Sequence, residues 1–188
     1  MSRKGFFLKA YRLKLIAYSL QLLLLSSCGY SMTRLLPANY RTIYIDPFAN
    51  QIPFTEEVSE RSGFQAILPK LEEDVTRGVI NRFLFDGNLR VTTKAEAADL
   101  RLAGVIRDFY RQPVRRRDDE TVEEYRLNLV ASVVCRDREG KVLFDEPSLI
   151  GDATYFLSGP LARGEPAAVD DLITDFSRRV VERVVENW

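Results

Sequence analysis

From Tyr40 to Phe48 apolar and polar positions alternate, with Ile43 and Ile45 on one side and Thr42 and Tyr44 on the other. That period of two predicts a half-buried strand, and Pro47 ends it because proline cannot donate to a ladder. Residues 49–62 are polar and contain Pro53, the composition of a loop. The period then changes. Phe64, Leu68, Leu71, Val75, Val79 and Phe83 recur every three or four residues and form one helical stripe. Pro69 suits the first turn, where its missing N–H costs nothing, and Glu72, Glu73 and Asp74 follow at the positive end of the dipole. Gly87 supplies the stop. Gly78, inside this helix, costs about 1 kcal/mol against alanine, and close packing on a sheet would justify it.

Leu89 to Val91 can add a short strand. Alternation returns over Ala98 to Phe109, with Leu100, Leu102, Gly104 and Ile106 opposed to Arg101, Ala103, Val105 and Arg107. A polar link, Arg111 to Thr121, carries Pro113 and a run of charges. Glu124 to Cys135 alternates again: Tyr125, Leu127, Leu129, Ala131, Val133 and Cys135 share one face, Arg126, Asn128 and Ser132 the other. Asp137 to Gly140 reads as a hairpin turn, leading into Lys141–Phe144 and Leu149–Phe156, one long strand broken or bulged at Glu146-Pro147. The last segment is a helix striped by Val169, Leu172, Ile173, Phe176, Val180 and Val184. Asp170 and Asp171 lie early in it, and Arg178, Arg179 and Arg183 late.

The predicted fold class is therefore α+β. It is a two-layer sandwich with two amphipathic helices on one face of a mainly antiparallel four-stranded sheet, in the order β-α-β-β-β-α. The opposite face, with Arg101, Arg107, Arg126, Asn128 and Ser132, is expected to be polar and uncovered.

The start of the chain follows another pattern. Arg3, Lys4, Lys9, Arg12 and Lys14 accompany an apolar run from Leu13 to Leu25, which ends at Leu25-Ser26-Ser27-Cys28. About a dozen apolar residues are too few for a spanning helix, which needs roughly 20. A cationic segment, a short apolar segment and small residues before a cysteine make up a bacterial lipid-attachment signal; the alternative is an uncleaved anchor with a chance cysteine. On the first reading 1–27 is a signal peptide, Cys28 receives the lipid, 28–39 is a tether and 40–188 a single periplasmic α+β domain. The tether, at about 3.3 Å per residue, keeps that domain within roughly 40 Å of the membrane.

Five of the 27 basic residues precede Cys28, leaving 22 against 27 acidic ones. That negative balance disfavours a nucleic-acid partner. With Cys28 lipidated, Cys135 has no disulfide partner and is expected to be buried. The chain has no histidine, which removes the commonest general base and most zinc sites. We expect no enzyme activity, no catalytic residue, no metal and no cofactor.

Five segments in order, Ser27-Cys28-Gly29-Tyr30, Leu35-Leu36-Pro37 before Thr42-Ile43-Tyr44-Ile45-Asp46-Pro47-Phe48-Ala49-Asn50, Phe85-Asp86-Gly87-Asn88, and Ala98-Asp99-Leu100-Arg101-Leu102-Ala103-Gly104-Val105-Ile106, resemble the lipopolysaccharide-assembly lipoprotein family, LptE. The resemblance implies a two-layer α+β lipoprotein of the Gram-negative outer membrane, anchored on its periplasmic side. It implies a noncatalytic protein that plugs an outer-membrane β-barrel partner, in a one-to-one complex, and assists lipopolysaccharide insertion into the outer leaflet. Gly29 after the lipidated cysteine is compatible with outer-membrane sorting. A structural lipoprotein of another envelope complex or secretion pore, without glycolipid binding, is the alternative.

A polyanionic glycolipid asks for arginines, whose guanidinium groups make charge-assisted contacts with phosphate. In an antiparallel meander the Arg111–Thr121 link and the exit after Phe156 fall at one end of the sheet. This makes Arg111, Arg115, Arg116, Arg117 and Arg163 the lipopolysaccharide-binding candidates, against a reading as solvated charge neutralised by Asp118, Asp119 and Glu120. Arg136, Arg138 and Lys141 gather at the other end. Tyr44, Arg101, Arg107 and Arg126 are the candidates for the barrel interface, since a barrel lumen is polar.

Overall fold

The computed structural model describes residues 39–53, 70–118 and 120–186. The expected signal peptide, Cys28, nearly all of the expected tether, Phe64, Leu68, Pro69 and Asp119 lie outside them.

β1 (Thr42–Ile45) forms where isoleucines alternate with polar residues, and Ile43 and Ile45 are buried as that alternation requires. β2 (Ala49–Asn50) follows, then α1 (Leu71–Asp86), β3 (Arg90–Val91), β4 (Leu100–Arg116), β5 (Val122–Asp137), β6 (Val142–Phe156) and α2 (Glu165–Glu186). The sheet runs β3-β1-β4-β5-β6, and β2 also pairs with β4. It is a mixed six-stranded sheet, which corrects the expected four-stranded, mainly antiparallel one. β1 lies parallel to both β3 and β4, while β4, β5 and β6 form the antiparallel meander read from the sequence. The parallel part arises because α1 carries the chain back over the sheet between β1 and β3. Two-residue strands such as β2 and β3 are too short to show a period.

The Arg111–Thr121 link shrinks to a turn in which Arg117 N donates to Thr121 O (2.9 Å), because β4 continues to Arg116. Pro113 is tolerated where the register with β5 slips. A second slip, between Ile106 and Asp108, inserts Arg107 as an extra residue. Before it the even-numbered residues are buried; after it Phe109 is, paired with Leu129. The bulge at Glu146-Pro147 is present as a register shift opposite Ala131 and Val133.

The helices pack as predicted for their stripes, α1 burying Leu71, Val75, Val79 and Phe83. α2 buries Leu172, Ile173, Phe176, Val180 and Val184, together with Ala168, Ser177 and Val181. Gly78 serves the helix pair and not the sheet: a Cβ there would lie 2.6 Å from Ile173 Cγ2 and 2.8 Å from Ser177 Oγ. Cys135 is buried, and burial pushes its thiol up to about 12. β6 is an edge strand, and α2 covers part of that edge: Asp152 N donates to Asp175 (3.1 Å), and Arg179 bonds both carboxylates.

Asp99 fixes the start of the sheet. Its carboxylate accepts from Arg41 N (3.0 Å), Thr42 N (3.0 Å) and Thr42 Oγ1 (2.9 Å), and Asp99 N donates back to that hydroxyl (2.9 Å). Burial works against ionisation, yet these donors and Arg138 hold the carboxyl below its usual range. A depressed folded pKa contributes stability above the unfolded value, about 3.9, and loses it as pH falls through the folded one. Asp99→Asn should therefore cost about 1–3 kcal/mol at pH 7, with the difference from wild type shrinking below about pH 4. Urea denaturation across that range is the check. A difference independent of pH would contradict this role.

Candidate functional site

The β4 bulge decides where Arg111 points. By simple alternation from Arg101 it would share the outer row, but the extra residue places it opposite Leu127, on the helix side of the sheet. There its guanidinium lies 4.4 Å from the Tyr125 ring centre and 3.3 Å from Glu165 at the start of α2. Tyr155 donates to the same carboxylate (2.8 Å) and stacks on Tyr125 with centroids 6.0 Å apart. Burial alone would lower the Arg111 pKa, but Tyr155 and Glu165 overcome it and raise it. Burial is also the first cause of the raised Tyr155 pKa. An arginine, two tyrosines and a glutamate thus tie β4, β5, β6 and α2 together.

The other arginines surround this knot. Arg115 lies 3.8 Å from Glu124 and 5.7 Å from the Phe156 ring centre. Arg116 donates to the backbone carbonyl of Glu120 (3.2 Å), and Arg117 to Ser158 Oγ (2.6 Å) with Glu123 at 3.7 Å. Arg163 pairs with Asp171 (2.6 Å), and its N–H donates to Phe156 O (3.2 Å). All five predicted arginines therefore meet at one end of the sheet. Their carboxylate partners come from β5 and α2; among the described residues Asp118 and Glu120 form no ion pair. A phosphate arriving here exchanges one charge-assisted contact for another, except at Arg116, whose described partner is a carbonyl. Val114, Leu157 and Leu161 stand exposed beside the arginines. Sequence reasoning passed over them as site residues, along with Glu165; the apolar residues inside a charge run and a Gly-Pro loop were the available signal.

Tyr44, Arg101, Arg107 and Arg126 all lie on the sheet face away from the helices, spread along its length. Arg101 grips Asp46 in a bidentate pair (2.7 and 2.8 Å) with its guanidinium 6.0 Å from the Tyr44 ring centre. Arg107 donates to Gln51 (2.5 Å), and Arg126 lies 3.7 Å from Asp152. This face is less polar than expected, because Val105, Val130, Val134 and Ile150 share it. Asn128, expected in a wet row, is buried between Tyr110 and Asp152, its register neighbours. Its Nδ2 has no hydrogen-bond partner among the described residues.

Among the described residues no helix is long and apolar enough to cross a membrane, and no cluster of His, Cys, Asp and Glu is arranged to hold a metal ion.

Solved structures similar in fold include the following two. An uncharacterized lipoprotein B from Nitrosomonas europaea aligns with a TM-score of 0.53 at 12% identity, covering 80% of this chain and 84% of its own. A hypothetical protein from Chlamydia trachomatis aligns with a TM-score of 0.50 at 13% identity, covering 77% of this chain and 95% of its own. No curated protein sequence matches significantly. The LptE family model, described as lipopolysaccharide-assembly, matches residues 40–186, which takes in β1 through α2 and every arginine of the cluster. The chain belongs to the LptE lipopolysaccharide-assembly family.

Proposed function

We propose that this protein is a lipoprotein held to the periplasmic side of the outer membrane by acyl chains on Cys28, after removal of residues 1–27. There it seats as a noncatalytic plug in an outer-membrane β-barrel and helps lipopolysaccharide reach the outer leaflet. The family match over 40–186 carries this reading. Geometry supports it. The chain enters the sheet at Arg41, beside Arg90 and Asp99, while the arginine cluster lies at the far end of β4 and β5. β5 has 16 residues, which at about 3.4 Å each span roughly 50 Å. A bilayer with its headgroups is about 40–45 Å thick. A domain tethered at the inner leaflet can thus hold Arg111, Arg115, Arg116, Arg117 and Arg163 near the opposite leaflet, where glycolipid phosphates arrive. Tyr44, Arg101, Arg107 and Arg126 face the lumen wall in this arrangement.

Co-expression with the organism's barrel protein should yield a stable equimolar complex. Charge reversal at Arg115, Arg116 and Arg117 should leave that complex intact and lower lipopolysaccharide binding about tenfold or more, since each lost charged contact is worth about 1.5–3 kcal/mol. A chain that stays monomeric beside every barrel would instead favour a structural lipoprotein of another envelope complex. Unchanged glycolipid binding in the reversed variant would remove the arginine assignment alone.

A further inference from the structure

The tether end of the domain carries a surface of a different kind. α1 stops at Gly87, and the chain turns into β3, where Arg90 N donates to Arg41 O (2.9 Å). The last turn of α1 therefore sits beside the point where the segment from Cys28 joins the sheet. Phe83 of that turn is fully buried, but Phe85 is 82% exposed and Leu84 61%. Phe85 is the most exposed large apolar side chain among the described residues, and the Arg82 guanidinium lies 5.4 Å from its ring centre. Arg41 and Arg90 are neighbours across the β1–β3 pair, and Lys94 lies three residues beyond the end of β3. Among the described residues no carboxylate lies within ion-pair distance of any of the three. This contrasts with the far end, where four of the five arginines have an acidic partner.

We propose that this tip docks on the headgroup layer of the leaflet that holds the anchor, with Phe85 and Leu84 inserting among the acyl chains and Arg41, Arg82, Arg90 and Lys94 meeting lipid phosphates. The proposal rests on the lipid-anchor reading. Length and charge point to lipid as the occupant. The tether is about a dozen residues, so the tip is the part of the domain held nearest the bilayer. Free cations beside exposed apolar side chains complement an anionic interface. The tip then does what acyl chains on a flexible tether cannot. It fixes the long axis of the sheet relative to the membrane, so that the arginine cluster points away from the anchored leaflet.

The test uses the mature acylated protein with Phe85→Cys carrying an environment-sensitive fluorophore, in vesicles of phosphatidylethanolamine and phosphatidylglycerol. Leu161→Cys, 67% exposed at the other end, is the control. Cys135 is buried and its thiol is pushed up to about 12, so it resists labelling, and Cys28 is blocked by its lipid. The expected result is blue-shifted, several-fold brighter emission at position 85, quenched by spin-labelled lipid, with water-like emission at 161. Water-like, unquenched emission at 85 in protein whose acylation is verified by mass spectrometry overturns the proposal. So does a blue shift that appears only when the barrel is added, which would give the patch to the barrel wall. Absence of acylation overturns the anchor reading instead, and quenching of the probe at position 85 on Cys28→Ser protein, which leaves no second accessible thiol, mixed with the same vesicles then decides the tip by itself.

Discussion

Phe176→Ala is expected to lower the stability of the domain by about 3–5 kcal/mol. Phe176 is fully buried at the seam where α2 crosses β6, and its Cβ and backbone lie against Gly151. A Cβ on Gly151 would come within 2.6 Å of the Phe176 Cβ and 2.8 Å of its Cα, so helix and strand touch backbone to backbone. The ring also meets Phe48 edge-on, with centroids 6.0 Å apart and planes at 80°. Truncation empties a ring-sized volume that the surrounding helix and strand are too closely joined to fill. Against a typical total of about 5–15 kcal/mol, that is a large share. Urea denaturation should show a lower midpoint with an unchanged slope. A loss under about 1 kcal/mol would mean that the seam relaxes freely, which the contact at Gly151 argues against.

The second large effect lies on β4, two strands across the sheet from β6. A Cβ on Gly104 would fall 2.0 Å from Phe48 Cε1 and 2.5 Å from its Cζ, a direct overlap with the ring. Gly104→Ala must therefore displace Phe48, which is buried against Phe176 and cannot swing into solvent; overpacking of this kind costs about 1–3 kcal/mol. Phe48→Ala alone should cost about 3–5 kcal/mol by leaving a cavity. In the double variant the added methyl enters the space the ring vacated. Its cost should fall short of the sum of the two single changes by about 1 kcal/mol or more. Strict additivity would show that the two positions do not share this space.

Gly104 also illustrates how far the sequence can be read. Alternation placed it correctly in the buried row of its strand, and the apolar stripes placed both helices, because burial on one face imposes periods of two and 3.6 on any chain that folds this way. The same logic put Cys135 inside and brought Arg111, Arg115, Arg116, Arg117 and Arg163 to one end, since a meander returns its strand ends to the same place. It could not show what these residues touch. Alternation carries no information on an inserted residue, so the bulge at Arg107 and the turn of Arg111 toward Glu165 were hidden. Nor could it show that Gly78 seats one helix on the other, because a glycine records the need for space and not the neighbour that fills it.

The sequence by itself determined the strand and helix periods, the two-helix α+β layering, and the family resemblance that the match over 40–186 bears out. Tertiary structure alone decided that β1 and β3 run parallel beside β4 and that Asp99 binds the start of the sheet. It also decided that four of the five arginines pair with acids from β5 and α2, and that Phe85 stands at the end of the sheet where β1 begins. The physical reason is the same throughout. Local patterning reports whether a side chain faces core or water, whereas pairing partners, parallel neighbours and bulges depend on residues far apart in the chain, brought together by a packing that no single window contains.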